Sequence, residues 1–140
     1  MDIFTWLRRD HVEILNLVGE GTREARAQGA ERWDIHVRIE ENFLFPFLRS
    51  EPGLRHSLNR AVQAHDRIRG RMRGIQPSDP DSWDGSGDWL MESLERLQNM
   101  KERRIFPRAR RFLSADESEE LLSEVIDFLH GLENALSSGR

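Results

Sequence analysis

The sequence contains no cysteine, which excludes disulfides, thiolate metal sites and thiol catalysis. No apolar run approaches the roughly 20 residues that a membrane-spanning helix needs, and the N-terminus lacks a signal-peptide pattern, so a cytoplasmic location without membrane contact is expected. The net charge of −4 argues against nucleic acid as the main partner. A chain of 140 residues is expected to form one domain, residues 1–140, with a core large enough to fold without cross-links.

Lysine is almost absent as well, because Lys101 is the only lysine and every other basic residue except histidine is arginine. This lysine lies in the second copy of an internal repeat. The two copies are HVRIEENFLFP at residues 36–46 and LQNMKERRIFP at residues 97–107. When the copies are aligned on their Phe-Pro pairs, His36 is matched by Leu97 and Glu40 by Lys101. The second copy therefore keeps the Phe-Pro frame and replaces both the imidazole and the carboxylate.

Apolar residues recur at helical spacing nearly everywhere, and no stretch alternates like a strand, which predicts an all-α protein. Gly29, Pro52-Gly53 and an acidic loop at 76–87 divide the pattern, and Ser114 to Glu117 reads as a capping box. The predicted helices cover approximately residues 2–27, 30–49, 54–75, 88–113 and 115–137. Their short connections favour an antiparallel up-down four-helix bundle, core residues 2–113, with the C-terminal helix packed across one end or side.

The second and the fifth predicted helices each have a well-defined inward stripe. The second helix is expected to kink or end at Pro46, because proline lacks the N–H that a helix interior needs. The predicted stripe of that helix is Trp33, His36, Glu40, Phe43 and Phe47, and that of the fifth helix is Leu122, Val125, Leu129, Leu132 and Leu136.

Three histidines, His11, His36 and His65, occupy inward stripes on three different helices. Glu40 lies one turn from His36 and faces the same way. A single inward histidine is more often a hydrogen-bonded core residue than a ligand. Three of them beside a carboxylate favour a metal ion, since unpartnered imidazoles and carboxylates are costly to bury. Nitrogen-rich ligation does not select between iron, zinc and manganese.

These residues resemble the hemerythrin-like HHE cation-binding domains, from Leu7 to about Leu113. The motifs that carry the resemblance are Asp10-His11, His36-x-x-x-Glu40-Glu41 with Phe45-Pro46, His65, and Ile105-Phe106-Pro107. The resemblance implies a four-helix bundle with a non-haem di-iron site, which binds oxygen or responds to oxygen, nitric oxide or iron. It also implies that His11, His36, Glu40 and His65 are metal ligands and that iron is the cofactor.

The sequence departs from that family on the fourth helix, where a second His-x-x-x-Glu is expected and Leu97 and Lys101 are found. Ala61, one turn before His65, provides no substitute. Replacing a carboxylate by an ammonium changes the local charge by two units, and at ~4 Å such a repulsion is worth roughly 4 kcal/mol at an effective dielectric of 20. At most one metal ion is therefore expected. Lys101 is predicted to form an ion pair with Glu40 in place of the second ion, the alternative being that it extends to the bundle end.

Two functions remain open on the sequence. In the first, one metal ion with a free coordination position binds a small diatomic ligand or senses oxygen, nitric oxide, iron or redox state. In the second, the bundle is a metal-free interaction or regulatory protein in which Lys101 replaces the second metal. No catalytic constellation is recognisable, so an enzyme is not expected. A monomer or homodimer is expected, and the basic run Arg67 to Arg73 is interpreted as an exposed helix face rather than a phosphate site.

Overall fold

The computed structural model describes residues 1–75, 79, 83 and 86–138, and all regular structure within them is helical. The all-α class predicted from the periodicity is confirmed. The predicted loop at 76–87 lies largely outside the described residues. The helices are α1 (Ile3–Glu20), α2 (Arg23–Ile39), a π-helical turn (Glu40–Leu44), α3 (Phe45–Leu48), a 3₁₀ turn (Pro52–Leu54), α4 (Arg55–Met72), α5 (Ser86–Arg104), α6 (Phe106–Phe112) and α7 (Ala115–Ser138).

The four long helices α1, α2, α4 and α5 run antiparallel to their neighbours. Two contacts fix the direction of each pair of helices. Between α1 and α2, Val18 contacts Gly29 and Asp10 contacts His36. Between the α2–α3 segment and α4 the contacts are Glu41 with Arg69 and Arg49 with Asn59, and between α1 and α5 they are Gly19 with Met91 and Arg8 with Glu102. In each pair the residue number rises on one helix as it falls on the other. The predicted up-down bundle follows.

The C-terminal helix α7 packs on the side of the bundle against α1 and the π-helical turn. Its start is the predicted capping box, in which the Ser114 N–H donates to Glu117 Oε1 at 2.9 Å and the Glu117 N–H donates to Ser114 Oγ at 3.1 Å. Val125 is fully buried, whereas Leu136 is 65% exposed. The predicted stripe is wrong at Leu136, because the side chains of α7 that pack on the core extend only to Leu129.

The connection between α1 and α2 lies earlier than the sequence predicted. Gly21 ends α1 with a φ of 82°, a left-handed conformation that favours glycine, and Thr22 caps α2. Gly29, predicted as the stop, lies inside α2, where a Cβ would be only 2.7 Å from Val18 Cγ2. Gly29 is therefore needed for the close approach of the two helices rather than for chain reversal.

Each Phe-Pro pair interrupts its helix. In the first copy the Phe45 N–H donates to the Glu40 carbonyl, five residues back, so the turn before Pro46 is widened into a π-helix. The widened turn shifts the inward face by one residue, so Leu48 is fully buried and Phe47 is 44% exposed, contrary to the predicted stripe. In the second copy α5 ends at Arg104 and α6 begins at Phe106. The predicted continuous helix to residue 113 is thus two helices.

The core has two apolar clusters, one around Leu7, Leu44 and Ile105 and the other around Ile14, Val37 and Leu94. Along every long helix the polar inward residue lies between members of these two clusters. The bundle therefore encloses a polar layer near its middle. None of the described helices is both long enough and apolar enough to cross a membrane.

Candidate metal centre

The polar layer consists of five buried side chains from five elements of the bundle. His11 comes from α1, His36 from α2, Glu40 from the π-helical turn, His65 from α4 and Lys101 from α5. None of the five is more than 5% exposed. The helical stripes thus place the four predicted ligands and Lys101 around one interior region, as their sequence positions required.

Glu40 and Lys101 are in direct contact at the centre of this layer. The Lys101 ammonium donates to Glu40 Oε1 at 2.5 Å, so Lys101 points into the core and not to the bundle end. The same oxygen lies 3.7 Å from His36 Nε2 and 3.6 Å from His65 Nε2. Burial raises the pKa of Glu40, but Lys101, His36 and His65 together outweigh burial and lower the pKa below its usual value. The contact is therefore an ion pair.

His36 is oriented by a carboxylate on the neighbouring helix. Its Nδ1 lies 2.7 Å from Asp10 Oδ2, and the Arg32 guanidinium donates to Asp10 Oδ1 at 2.5 Å. Burial opposes ionisation of Asp10, but the hydrogen bond from His36 and the charge of Arg32 keep its pKa below the usual value. An ionised Asp10 can only accept, so His36 donates through Nδ1, and its Nε2 faces the polar layer.

His65 is held in the same manner by Glu41. His65 Nδ1 lies 2.8 Å from Glu41 Oε2, and Arg69 donates to Glu41 Oε1 at 2.8 Å. Although burial raises the pKa of Glu41, the hydrogen bonds from His65 and Arg69 lower it to about 2. The Phe45 ring is stacked on His65 with 6.1 Å between ring centroids. His65 is thus fixed in orientation and also presents Nε2 towards Glu40.

His11 completes the set, and among the described residues it has no carboxylate partner of its own. Its ring centroid lies 6.0 Å from that of His36. Burial, followed by the neighbouring His36 and Lys101, lowers the pKa of His11 to about 3. His11 is therefore a neutral imidazole near pH 7, which is the form that binds a metal ion.

Four buried atoms of these residues have no hydrogen-bond partner within the described part of the chain: Nε2 of His11, His36 and His65, and Oε2 of Glu40. Three imidazole nitrogens and one carboxylate oxygen are a suitable donor set for a divalent iron, zinc or manganese ion. Carboxylates on the opposite ring nitrogen, as on His36 and His65, are the usual support of metal-bound histidines. The chemistry of the residues therefore fits one metal ion.

The donor atoms are of suitable types for a metal ion, but they lie too far apart to hold one. Among the described residues, no group of three or more histidines or acidic residues is gathered closely enough to hold a metal ion. The cation adjacent to Glu40 is the Lys101 ammonium. Binding a metal ion would therefore require the donors to move towards it, with Oε2 of Glu40 free for the ion and Oε1 retained by Lys101.

The carboxylates in and around the layer are already neutralised by basic side chains of the protein. Glu40 and the two carboxylates that hold His36 and His65 each contact a cation, which pairs Glu40 with Lys101, Asp10 with Arg32 and Glu41 with Arg69. Each of these three pairs has no net charge. A divalent ion would add two uncompensated positive charges, and a second ion two more.

The second copy of the repeat contributes no ligand. Its Leu97 is a buried apolar side chain, and its Glu102, the counterpart of Glu41, forms an ion pair with Arg8 near the surface. Ala61 on α4, outside the repeat, is also buried and apolar. The sequence interpretation assigned no role to the orienting carboxylates. Asp10 directly precedes His11, and Glu41 directly follows Glu40, but their partners lie on other helices.

The model of the hemerythrin HHE cation binding domain family matches residues 2–106, which is most of the chain. The protein belongs to this family of helical cation-binding domains. No curated protein and no solved structure matches the chain significantly.

Proposed function

We propose that this domain binds a single metal ion through His11, His36, Glu40 and His65, with Lys101 in the place of a second ion. The observation that supports it is the set of four buried donor atoms without partners among the described residues, three imidazole Nε2 atoms and Glu40 Oε2. Buried polar atoms of native proteins are normally hydrogen-bonded, and leaving several unpaired in one layer is destabilising. A single metal ion would satisfy all four at once.

The chain's own residues have distinct parts in this proposal. Asp10 and Glu41 hold His36 and His65 with their Nε2 atoms directed inward. Lys101 neutralises one oxygen of Glu40 and leaves the other for the metal. A bound ion with a free coordination position would bind oxygen or nitric oxide, so the proposed role is sensing of a small ligand, iron or redox state rather than catalysis. Iron is the first candidate, with zinc and manganese as alternatives.

A second candidate function is a metal-free bundle that acts as an interaction or regulatory protein. The observation that favours it is the charge balance of the polar layer, since Lys101 already neutralises Glu40 and the outer carboxylates are paired with arginines. In this case the ammonium takes the place of metal altogether.

Metal stoichiometry separates the two functions. The purified protein is stripped with a chelator, reloaded anaerobically with Fe²⁺ or with Zn²⁺, and analysed for bound metal after desalting. The single-metal proposal predicts close to one ion per chain, loss of binding in His36→Gln, and full retention in His56→Gln, whose histidine is exposed. If the wild-type protein binds no metal, the single-metal proposal is rejected and the metal-free function is supported. Two ions per chain would contradict both functions.

Rebuilding the second half of the site tests the role of Lys101 in the same assay. Leu97→His combined with Lys101→Glu supplies the missing imidazole and carboxylate and removes the ammonium. Iron content should rise above the wild-type value towards two per chain, with Ala61 as the remaining deficit. Unchanged iron content in the double variant would show that Lys101 does not limit the number of ions.

A further inference from the structure

A cavity of about 300 Å³ lies between α4 and α5, on the outer side of the polar layer. Its floor is apolar, because the buried side chains of Ile68 and Leu97 and the half-buried Trp89 line it. Leu97 is the residue that aligns with His36 in the repeat. The apolar residue that removes a metal ligand from α5 therefore also forms the floor of this cavity.

The rim of the cavity is basic. Arg60 and Arg67 lie two turns apart on α4, and Arg96 lies opposite them on α5. All three are exposed, and no carboxylate is among the residues described as lining the cavity. Within the described part of the chain none of the three forms an ion pair, unlike Arg32 and Arg69. Three guanidiniums around one opening are a locally positive site on a protein of net charge −4.

We propose that this cavity binds a small amphipathic organic anion, a carboxylate on an apolar body of roughly seven to ten carbons. The volume is at the lower end of the range for ligand pockets, which suits a body of that size. The apolar floor would cover the hydrocarbon part, and guanidiniums bind carboxylates with paired, charge-assisted hydrogen bonds. An inorganic anion would use only the rim, and a neutral apolar molecule only the floor.

This site is separate from the proposed metal centre, because none of the four candidate ligands lines it. Binding of the anion is therefore expected in metal-free protein. Failure of the metal proposal would leave this one intact, and the reverse also holds.

Isothermal titration of the metal-free full chain with octanoate tests the proposal, with octanamide and inorganic phosphate as the probes that lack the charge or the apolar body. Octanoate should bind at one per chain, and both comparison probes should bind at least about tenfold more weakly. Arg67→Gln and Arg96→Gln should each weaken octanoate binding about tenfold. The matched control is Arg104→Gln, an exposed arginine outside the cavity, which should change the affinity less than about twofold.

A cavity-filling variant tests the apolar half of the site. Ala64 lines the cavity and is only partly buried, so Ala64→Trp should occupy the space without altering any charge and should abolish octanoate binding. Circular dichroism of each variant checks that the helices are retained, and the surface arginine variants provide the test if Ala64→Trp does not fold. The proposal is overturned if octanoate does not bind, if phosphate binds equally well, or if Arg104→Gln weakens binding as much as Arg96→Gln.

Discussion

The Glu40–Lys101 pair is the residue-scale feature that distinguishes this chain from a domain with two metal ions. Both side chains are almost completely buried, at 0% and 2% exposure. Removal of two charges from water is costly, and their attraction offsets this cost only while both partners are present. The intact pair therefore adds little net stability, but loss of either partner alone is expected to be costly.

This asymmetry gives a prediction for single and double variants. Lys101→Met leaves Glu40 as an uncompensated buried charge and should lower the free energy of unfolding by about 3–5 kcal/mol. Lys101→Met combined with Glu40→Gln removes both charges and should be less destabilising than Lys101→Met alone. Urea unfolding in the presence of a chelator measures both variants.

The control for this pair is the exposed ion pair of Arg8 with Glu102, whose side chains are 57% and 24% exposed. Arg8→Met should change stability by no more than about 1 kcal/mol, because solvent screens an exposed pair. If Lys101→Met is as mild as Arg8→Met, Lys101 and Glu40 do not form the buried pair in solution.

Gly29 and Gly70 both lie inside helices, but the space around each differs because of how the helices pack. Gly29 lies in α2 against α1, where a Cβ would be 2.7 Å from Val18 Cγ2 and 3.3 Å from the Val18 backbone nitrogen. Gly70 lies in α4, where a Cβ would have no neighbour within 4 Å among the described residues. Their local sequence environments are both helical, and only the packing of the elements separates them.

Alanine substitutions at these positions should therefore have opposite signs. Gly29→Ala should destabilise the protein by about 1–3 kcal/mol, because the rigid Val18 side chain and the α1 backbone would have to move. Gly70→Ala should stabilise it by about 0.5–1 kcal/mol, since alanine loses less backbone entropy in a helix. Thermal unfolding of the two variants beside the wild type decides the matter, and equal shifts would contradict the close contact of Gly29 with Val18.

At the scale of the whole molecule, the polar layer between two apolar clusters makes stability depend on pH. Burial is the main cause that lowers the pKa of His11 from 6.5 to about 3, and burial also lowers the pKa of His65. Between these values the unfolded chain binds protons that the folded chain excludes. The free energy of unfolding therefore falls as the pH falls from about 6.5 towards 3.

Urea unfolding of chelated protein between pH 8 and pH 4 should show this loss of stability. His11→Gln removes one of the titrating groups. Below pH 6.5 the slope of the free energy of unfolding against pH should therefore correspond to about one fewer proton taken up on unfolding. His130→Gln, at an exposed histidine, should leave the slope unchanged. A slope that is the same in His11→Gln and the wild type would contradict the neutral, buried state of His11.

Much of the fold was predictable because it depends on local spacing. The helical period places His11, His36, Glu40, His65 and Lys101 on inward faces whatever the details of the loops. The break at Pro46 likewise follows from the missing N–H of proline, but a continuous helix was predicted across Pro107, to which the same reasoning applies. The errors at Gly29 and Phe47 have a common cause, since a close helix contact and a widened turn leave no distinct mark in the local pattern.

The sequence by itself thus determined the helical class, the inward polar residues and the loss of ligands on α5, because each is a property of residues a turn or two apart. The tertiary structure alone decided which carboxylates hold the histidines. Asp10 contacts His36 and Glu41 contacts His65 across separations of 26 and 24 residues. Such pairs are set by how the helices pack, and helix packing depends on the shapes of all the facing side chains together rather than on any segment of the chain.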